Sequence, residues 1–223
     1  MPKSTTILVV DDHPMTADAY INLITMSEPN LHFNFEKAIS CETAFKSIEM
    51  FSKSKKTLDV AIIDIGLPPF KDKKMTSGKD IAQLIRTKFQ KCKIIILTMH
   101  HEALILNTIF KSINPEGFIS KNDIDFLTFP QLFSSILNGE RFISKTIYEV
   151  LVVVFKQNIN WDKYDNQIII LLGKGIKTKE LPSYMDISLS TIEKRKANIK
   201  LHLLNKKGTD SELIKVAKVL KLI

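Results

Sequence analysis

The chain has 223 residues, 44% of them hydrophobic and 25% charged, with two Cys and a formal net charge of +8. Those proportions belong to an ordinary folded protein of one or two domains, and they exclude a disordered, collagen-like or disulfide-stapled chain. The apolar run Ile7–Val10 is too short for a signal peptide or a membrane span, so no membrane association is expected, and a cytoplasmic, reducing setting with free Cys41 and Cys92.

In chain order, the β-branched runs Ile7–Val10, Val60–Ile63 and Ile94–Leu97 predict strands, joined by shorter ones near Phe33–Phe35 and at Gly117–Ser120. Helical spacing fills the gaps at Ala17–Met26, Cys41–Phe51, Lys79–Lys88 and Glu102–Ser112. Such alternation predicts a parallel sheet covered by helices. The strands end on polar residues: Asp11 and Asp12, Asp64, Thr98, and Lys121. In a doubly wound sheet ligands bind beyond the carboxyl ends of the strands, so these side chains can converge. Three carboxylates in one place are costly unless a cation joins them. Mg2+ suits that donor set, since it takes hard oxygen ligands and leaves room for phosphate oxygens. A carboxylate can then be the nucleophile in phosphoryl transfer, with an ammonium and a hydroxyl stabilising the transferred group.

Beyond Gly139 the chain runs through the apolar stretch Val150–Phe155 to the polar string QNIN, which reads as a linker helix and linker over 139–159. Residues 160–223 hold 13 Lys and Arg against 7 Asp and Glu, so most of the net positive charge sits in this C-terminal part. A basic module beside a near-neutral one points to nucleic acid, and a lysine-rich solvated face is the alternative. The string YDNQIIILLGKGIKTKELPSYMDISLSTIEKRKANIKLHL spells a helix, a glycine-marked turn, a short helix, a turn and another helix. Ser188 is the expected N-cap of the last helix, with Ile192, Ile199 and Leu203 on its inner face and Lys194, Arg195, Lys196 and Lys200 opposite.

Residues 5 to 130 resemble the receiver domain of response regulators. The acidic pair stands as Asp11 and Asp12 in VVDDHP, the phosphoacceptor as Asp64 in AIIDIGLP, the switch hydroxyl as Thr98 in IIILTMHH and the lysine as Lys121 in GFISK. The resemblance implies Phe118 as the aromatic switch residue and a metal site of Asp11, Asp12, Asp64 and the Gly66 carbonyl. The DDHP string is similar to the subgroup with a LuxR-type output domain (NarL/FixJ-like), in which His13 has a structural role. One departure is the long segment GLPPFKDKKMTSG, which delays the usual glycine to Gly78 and carries Lys71, Lys73 and Lys74. These lysines read as a solvated loop, or as a positive patch for a phospho-donor.

Residues 160–223 resemble the LuxR-type DNA-binding domain through GKGIKTKEL and DISLSTIEKRKANIK. Pro182 replaces an alanine of the family's short helix, with Thr178 as its candidate N-cap, and Arg195 and Lys196 replace a His and an apolar residue. The implied DNA contacts are Thr191, Glu193, Lys194, Arg195, Lys196, Ala197 and Lys200. Of these, Glu193 is expected to read cytosine N4 while Lys194, Lys196 and Lys200 anchor phosphates.

The expected architecture is thus an α/β receiver (1–138) with a flavodoxin-like, doubly wound parallel five-stranded sheet, a linker helix (139–159) and an all-α helix-turn-helix domain (160–223). The expected function is that of a regulator of transcription and not an enzyme. It is phosphorylated on Asp64 by a sensor histidine kinase, uses Mg2+, binds double-stranded DNA and forms a homodimer when phosphorylated. The alternatives are a receiver-fold interaction protein or regulator independent of phosphorylation, and an aspartyl-phosphate-forming phosphatase. The phosphatase lacks its usual second carboxylate two residues beyond the nucleophile, where Gly66 stands.

Overall fold

The computed structural model describes residues 4–156, 159, 161–204 and 207–223; Gln157, Asn158 and Asn160 of the QNIN run lie outside them. The chain divides into two compact units, Met1–His100 with Ile109–Ile147, and His101–Thr108 with Tyr148–Ile223.

The first unit is built on a parallel sheet of β1 (Thr5–Val10), β2 (Phe33–Ala38), β3 (Val60–Asp64), β4 (Lys93–Thr98), β5 (Gly117–Ser120) and β6 (Phe142–Ile143), in the order β2-β1-β3-β4-β5-β6. The helices α1 (Pro14–Ser27), α2 (Cys41–Lys53), α3 (Gly78–Lys88), α4 (Ala103–Ile113) and α5 (Thr128–Leu137) follow the first five strands in turn, the first residues of α4 being counted with the second unit. The central strands carry continuous apolar runs because helices cover both faces, and Ile7 to Val10 and Val60 to Ile63 are all buried. Ile7, Val9, Val60 and Ile62 pack with Tyr20 and Ile24 of α1 and Phe129, Phe133 and Ile136 of α5. Burying each such aliphatic side chain contributes about 1.5–3 kcal/mol, which fixes the strand register and with it the residues at the strand ends. Helix α2 starts where Ser40 Oγ accepts the Thr43 N–H and Thr43 Oγ1 accepts the Ser40 N–H, a reciprocal cap.

The sheet has six strands where five were expected. Strand β6 comes from the segment assigned to the linker: Phe142 N–H donates to the Glu116 carbonyl (2.9 Å) and Ser144 N–H to that of Phe118 (3.0 Å), so it satisfies the open edge of β5. Two residues are too few to show a strand period, and the pairing exists only once β5 is in place.

In the C-terminal half of the chain α6 (Lys145–Lys156) follows β6, and α7 (Lys163–Gly173), α8 (Leu189–Leu204) and α9 (Asp210–Val219) come after it. Asp162 caps α7 by accepting the N–H groups of Tyr164 and Asp165, and Gly175, at φ +86, turns the chain after it. The segment containing Pro182 is a 3-10 helix, Thr178–Ser183, with Lys177 and not Thr178 at its N-cap. As expected, Ser188 Oγ accepts the Thr191 N–H (3.3 Å) at the start of α8. Ile192 and Ile199 are buried and Leu203 partly so.

Candidate functional site

The register of the sheet brings the strand-end residues together. Asp11 follows the last residue of β1, while Asp64, Thr98 and Ser120 close β3, β4 and β5, four adjacent strands. Lys121, one residue beyond β5, places its ammonium 2.8 Å from Asp11 Oδ2 and 2.6 Å from Asp64 Oδ2, joining residues 110 and 57 positions away. Asp11 and Asp64 are buried. Burial pulls Lys121 down, but the hydrogen bonds to Asp11 and Asp64 outweigh it and hold the ammonium above the usual lysine range. Asp11 Oδ1 accepts the His13 N–H (2.9 Å), and His13 Nδ1 lies 2.8 Å from Asp12 Oδ1. His13 therefore organises the acidic pair.

Asp64 is aimed by its own loop. Its Oδ1 accepts the Gly66 N–H (3.1 Å), and the loop closes where Gly78 N–H donates to the Ile65 carbonyl (3.0 Å). A Cβ on Gly78 would lie 1.9 Å from the Asp64 carbonyl oxygen, so the glycine is required by close approach of α3 to the end of β3. The residues between form a small hairpin. Phe70 and Met75 exchange two backbone hydrogen bonds (2.9 and 3.1 Å), Lys74 takes the left-handed conformation (φ 55) and the Phe70 ring packs 5.7 Å from that of Phe45 on α2. Lys71, Lys73 and Lys74 are exposed, with the Lys73 ammonium 5.5 Å above the Phe45 ring.

Thr98 is fully buried with its hydroxyl accepting the His100 N–H (3.0 Å), and Phe118 is fully buried on β5. Sequence reasoning did not single out Asp123, which ends the 3-10 turn begun by Lys121 and accepts the Thr146 N–H (2.8 Å) and hydroxyl (2.7 Å) in the first turn of α6. The turn that begins with Lys121 thus also grips the first turn of α6. No local pattern signals a bond across 23 residues.

The donor set fits a hard divalent cation. Asp11, Asp12 and Asp64 bring three carboxylates against one ammonium and one imidazole, and ligand atoms of Asp11, Asp12 and His13 can all lie within 4.8 Å of one another. Asp64 Oδ2 faces Lys121, while Gly66 is exposed beside Asp64.

In the second unit the cations of α8 are distributed unequally. Arg195 Nη1 is 2.9 Å from Asp162 Oδ2 and 2.8 Å from Asp165 Oδ1, beneath α7. Lys196 Nζ is 2.9 Å from Asp210 Oδ2 and 2.7 Å from Thr178 Oγ1, and Lys200 Nζ is 2.6 Å from Asp210 Oδ1. Three of the basic side chains expected on the DNA face are thereby turned toward α7 and α9, because partly buried carboxylates stand at both flanks of the helix. Thr191, Glu193, Lys194 and Ala197 are exposed.

Residues 7–128, more than half of the chain, match the family described as response regulator receiver domain. The chain belongs to that family. Its curated relatives include the oxygen regulatory protein NreC of Staphylococcus carnosus (strain TM300), 27% identical over 97% of this chain and 98% of the relative. NreC of Staphylococcus aureus (strain JH9) is 26% identical over the same shares. Among solved structures, RcsB from Salmonella enterica serovar Typhimurium, bound to promoter rprA in the presence of the phosphomimetic BeF3-, superposes with a TM-score of 0.60 at 20% identity, covering 96% of this chain and 98% of RcsB. A second RcsB structure, bound to promoter P1flhDC, gives a TM-score of 0.62 at 18% identity over 99% and 100%. This likeness is one of fold: a receiver sheet followed by a helical C-terminal part. Among the described residues no helix is long and apolar enough to cross a membrane.

Proposed function

We propose that the protein is a cytoplasmic, DNA-binding response regulator: Asp64 accepts a phosphoryl group from a sensor histidine kinase, and the modified protein dimerises and controls transcription at double-stranded DNA. The observation that carries this reading is the Lys121 ammonium between Asp11 and Asp64 at the carboxyl edge of a receiver sheet. An Asp64 oxygen attacks the phosphorus of a phosphohistidine, the P–N bond breaks, and the imidazole leaves with the electron pair and takes up a proton, leaving an acyl phosphate. Lys121 neutralises the phosphoryl oxygens, and Thr98, once freed from the His100 N–H, donates its hydroxyl to them. Asp11, Asp12, Asp64 and the Gly66 carbonyl would hold Mg2+, which supplies charge neutralisation when bound. The full-length relatives named oxygen regulatory protein and the promoter-bound RcsB structures support the regulatory, DNA-directed part of the reading.

Intact-mass measurement after mixing with acetyl phosphate and Mg2+ tests the chemistry. The wild type gains one acid-labile phosphoryl group and Asp64→Asn gains none; equal labelling of the variant removes the proposal.

A further inference from the structure

Four cations lie on α8, yet Arg195 is held by Asp162 and Asp165, and Lys196 and Lys200 are held by Asp210. Their side chains are only 29%, 14% and 15% exposed. These ion pairs, with buried Ile192 and Ile199, define the inner half of the helix. At about 100° per residue, the direction opposite to that half is occupied by Lys194 and Leu201, with Ala197 about 50° to one side and Asn198 about 50° to the other. All four are exposed, and Leu201 keeps 51% of its surface. Glu193 lies about 100° from Lys194 and about 20° from Lys200, on the flank that turns to α9.

Building on the DNA-binding reading, we infer that Asn198 is a specificity-determining residue that reads an adenine, and that Ala197 and Leu201 beside it contact a thymine methyl. A carboxamide pairs with both the N6 donor and the N7 acceptor of adenine, a pattern that no other base presents in the major groove, and small apolar side chains complement the thymine methyl. Asn198 has no hydrogen-bond partner among the described residues that would hold its amide away from a base. Lys194 is the remaining lysine or arginine of α8 without an ion pair among the described residues, and reaches guanine or phosphate. With so little charge on the reading face, phosphate anchoring passes to exposed lysines elsewhere in the unit, Lys177 and Lys179 at the start of the 3-10 segment. Glu193 is left as a flank residue, so the cytosine contact expected from the sequence is replaced by an adenine contact one turn further along the helix.

The test is selection of binding sites from random duplex DNA by the full-length, acetyl-phosphate-treated wild type, Asn198→Ala, Asn198→Asp and Glu193→Ala. The wild type should enrich a motif with a fixed adenine in each half-site. Asn198→Ala should relax that position alone and weaken binding to the selected site on the order of 10-fold. Asn198→Asp should disfavour adenine there, since a carboxylate only accepts. Unchanged thermal unfolding of both variants is expected at this exposed position. A motif that is unchanged in Asn198→Ala but relaxed in Glu193→Ala overturns the inference and restores Glu193 while leaving DNA binding intact. Failure of the wild type to enrich any sequence overturns the DNA-binding reading and this inference together.

Discussion

Gly78 and Lys121 show how much of the site depends on single atoms. A methyl group on Gly78 would meet the Asp64 carbonyl oxygen at 1.9 Å, a backbone contact that no rotamer change relieves. Gly78→Ala should therefore cost about 1–3 kcal/mol, the range for an overpacked position, and slow phosphoryl acceptance as the Asp64 loop shifts. A urea titration read beside the acetyl phosphate assay checks both effects. Lys121 acts differently, as the counter-charge of two buried carboxylates. Lys121→Ala leaves those charges facing each other, so the variant should unfold at lower urea. Because a cation that binds only the folded state stabilises it, excess Mg2+ should narrow the gap to wild type. A gap that is indifferent to Mg2+ would mean that the carboxylates do not form a cation site.

Among the elements, α8 is positioned by charge as much as by its apolar stripe. Burial pushes the Asp210 carboxyl up, but the Lys200 and Lys196 ammonium groups outweigh it and hold it below the usual carboxylate range. Asp162 behaves alike: burial raises it, while the N–H groups of Asp165 and Tyr164 and the Arg195 guanidinium lower it further. A carboxyl depressed in the folded state binds fewer protons there than in the unfolded chain. Its stabilisation is present above the unfolded value, near pH 4, and is lost as pH falls below it. Thermal melts of the full chain should accordingly show a steeper loss between about pH 5 and pH 3 for wild type than for Asp210→Asn, which has already lost the ion pairs. Parallel pH profiles would show that Asp210 contributes nothing to holding α8.

For the whole molecule, a phosphoryl group on Asp64, as proposed, would be a local change of charge that must reach distant surfaces. Two routes leave the site: Thr98 with Phe118, and the Lys121–Asp123 turn, whose Asp123 holds Thr146 at the start of α6. We expect phosphorylation to raise the mass seen by light scattering from monomer to dimer and to tighten operator binding. Asp123→Ala should still accept the phosphoryl group, because Asp123 does not touch Asp64, but its dimerisation should be blunted. Identical mass distributions with and without phosphate would favour the regulator that works without phosphorylation.

Local pattern carried the receiver site because its residues obey local rules. Apolar runs buried on both faces must be central parallel strands, and the polar residue that ends each run must lie at the sheet's carboxyl edge, so Asp11, Asp64, Thr98 and Lys121 could be read together from the chain. Gly78 was visible as a delayed glycine, but its reason, the approach of α3 to the Asp64 carbonyl, was not. Strand β6 escaped notice because two residues have no period and pair only with a β5 already in place. The orientation of α8 was likewise beyond the chain's own pattern. Helical spacing identified Ile192 and Ile199 as the inner face, but only folding brought Asp162, Asp165 and Asp210 against Arg195, Lys196 and Lys200. Ion pairs between residues 10 to 33 positions apart leave no periodic trace, and it is these pairs that decide which face of the helix stays exposed.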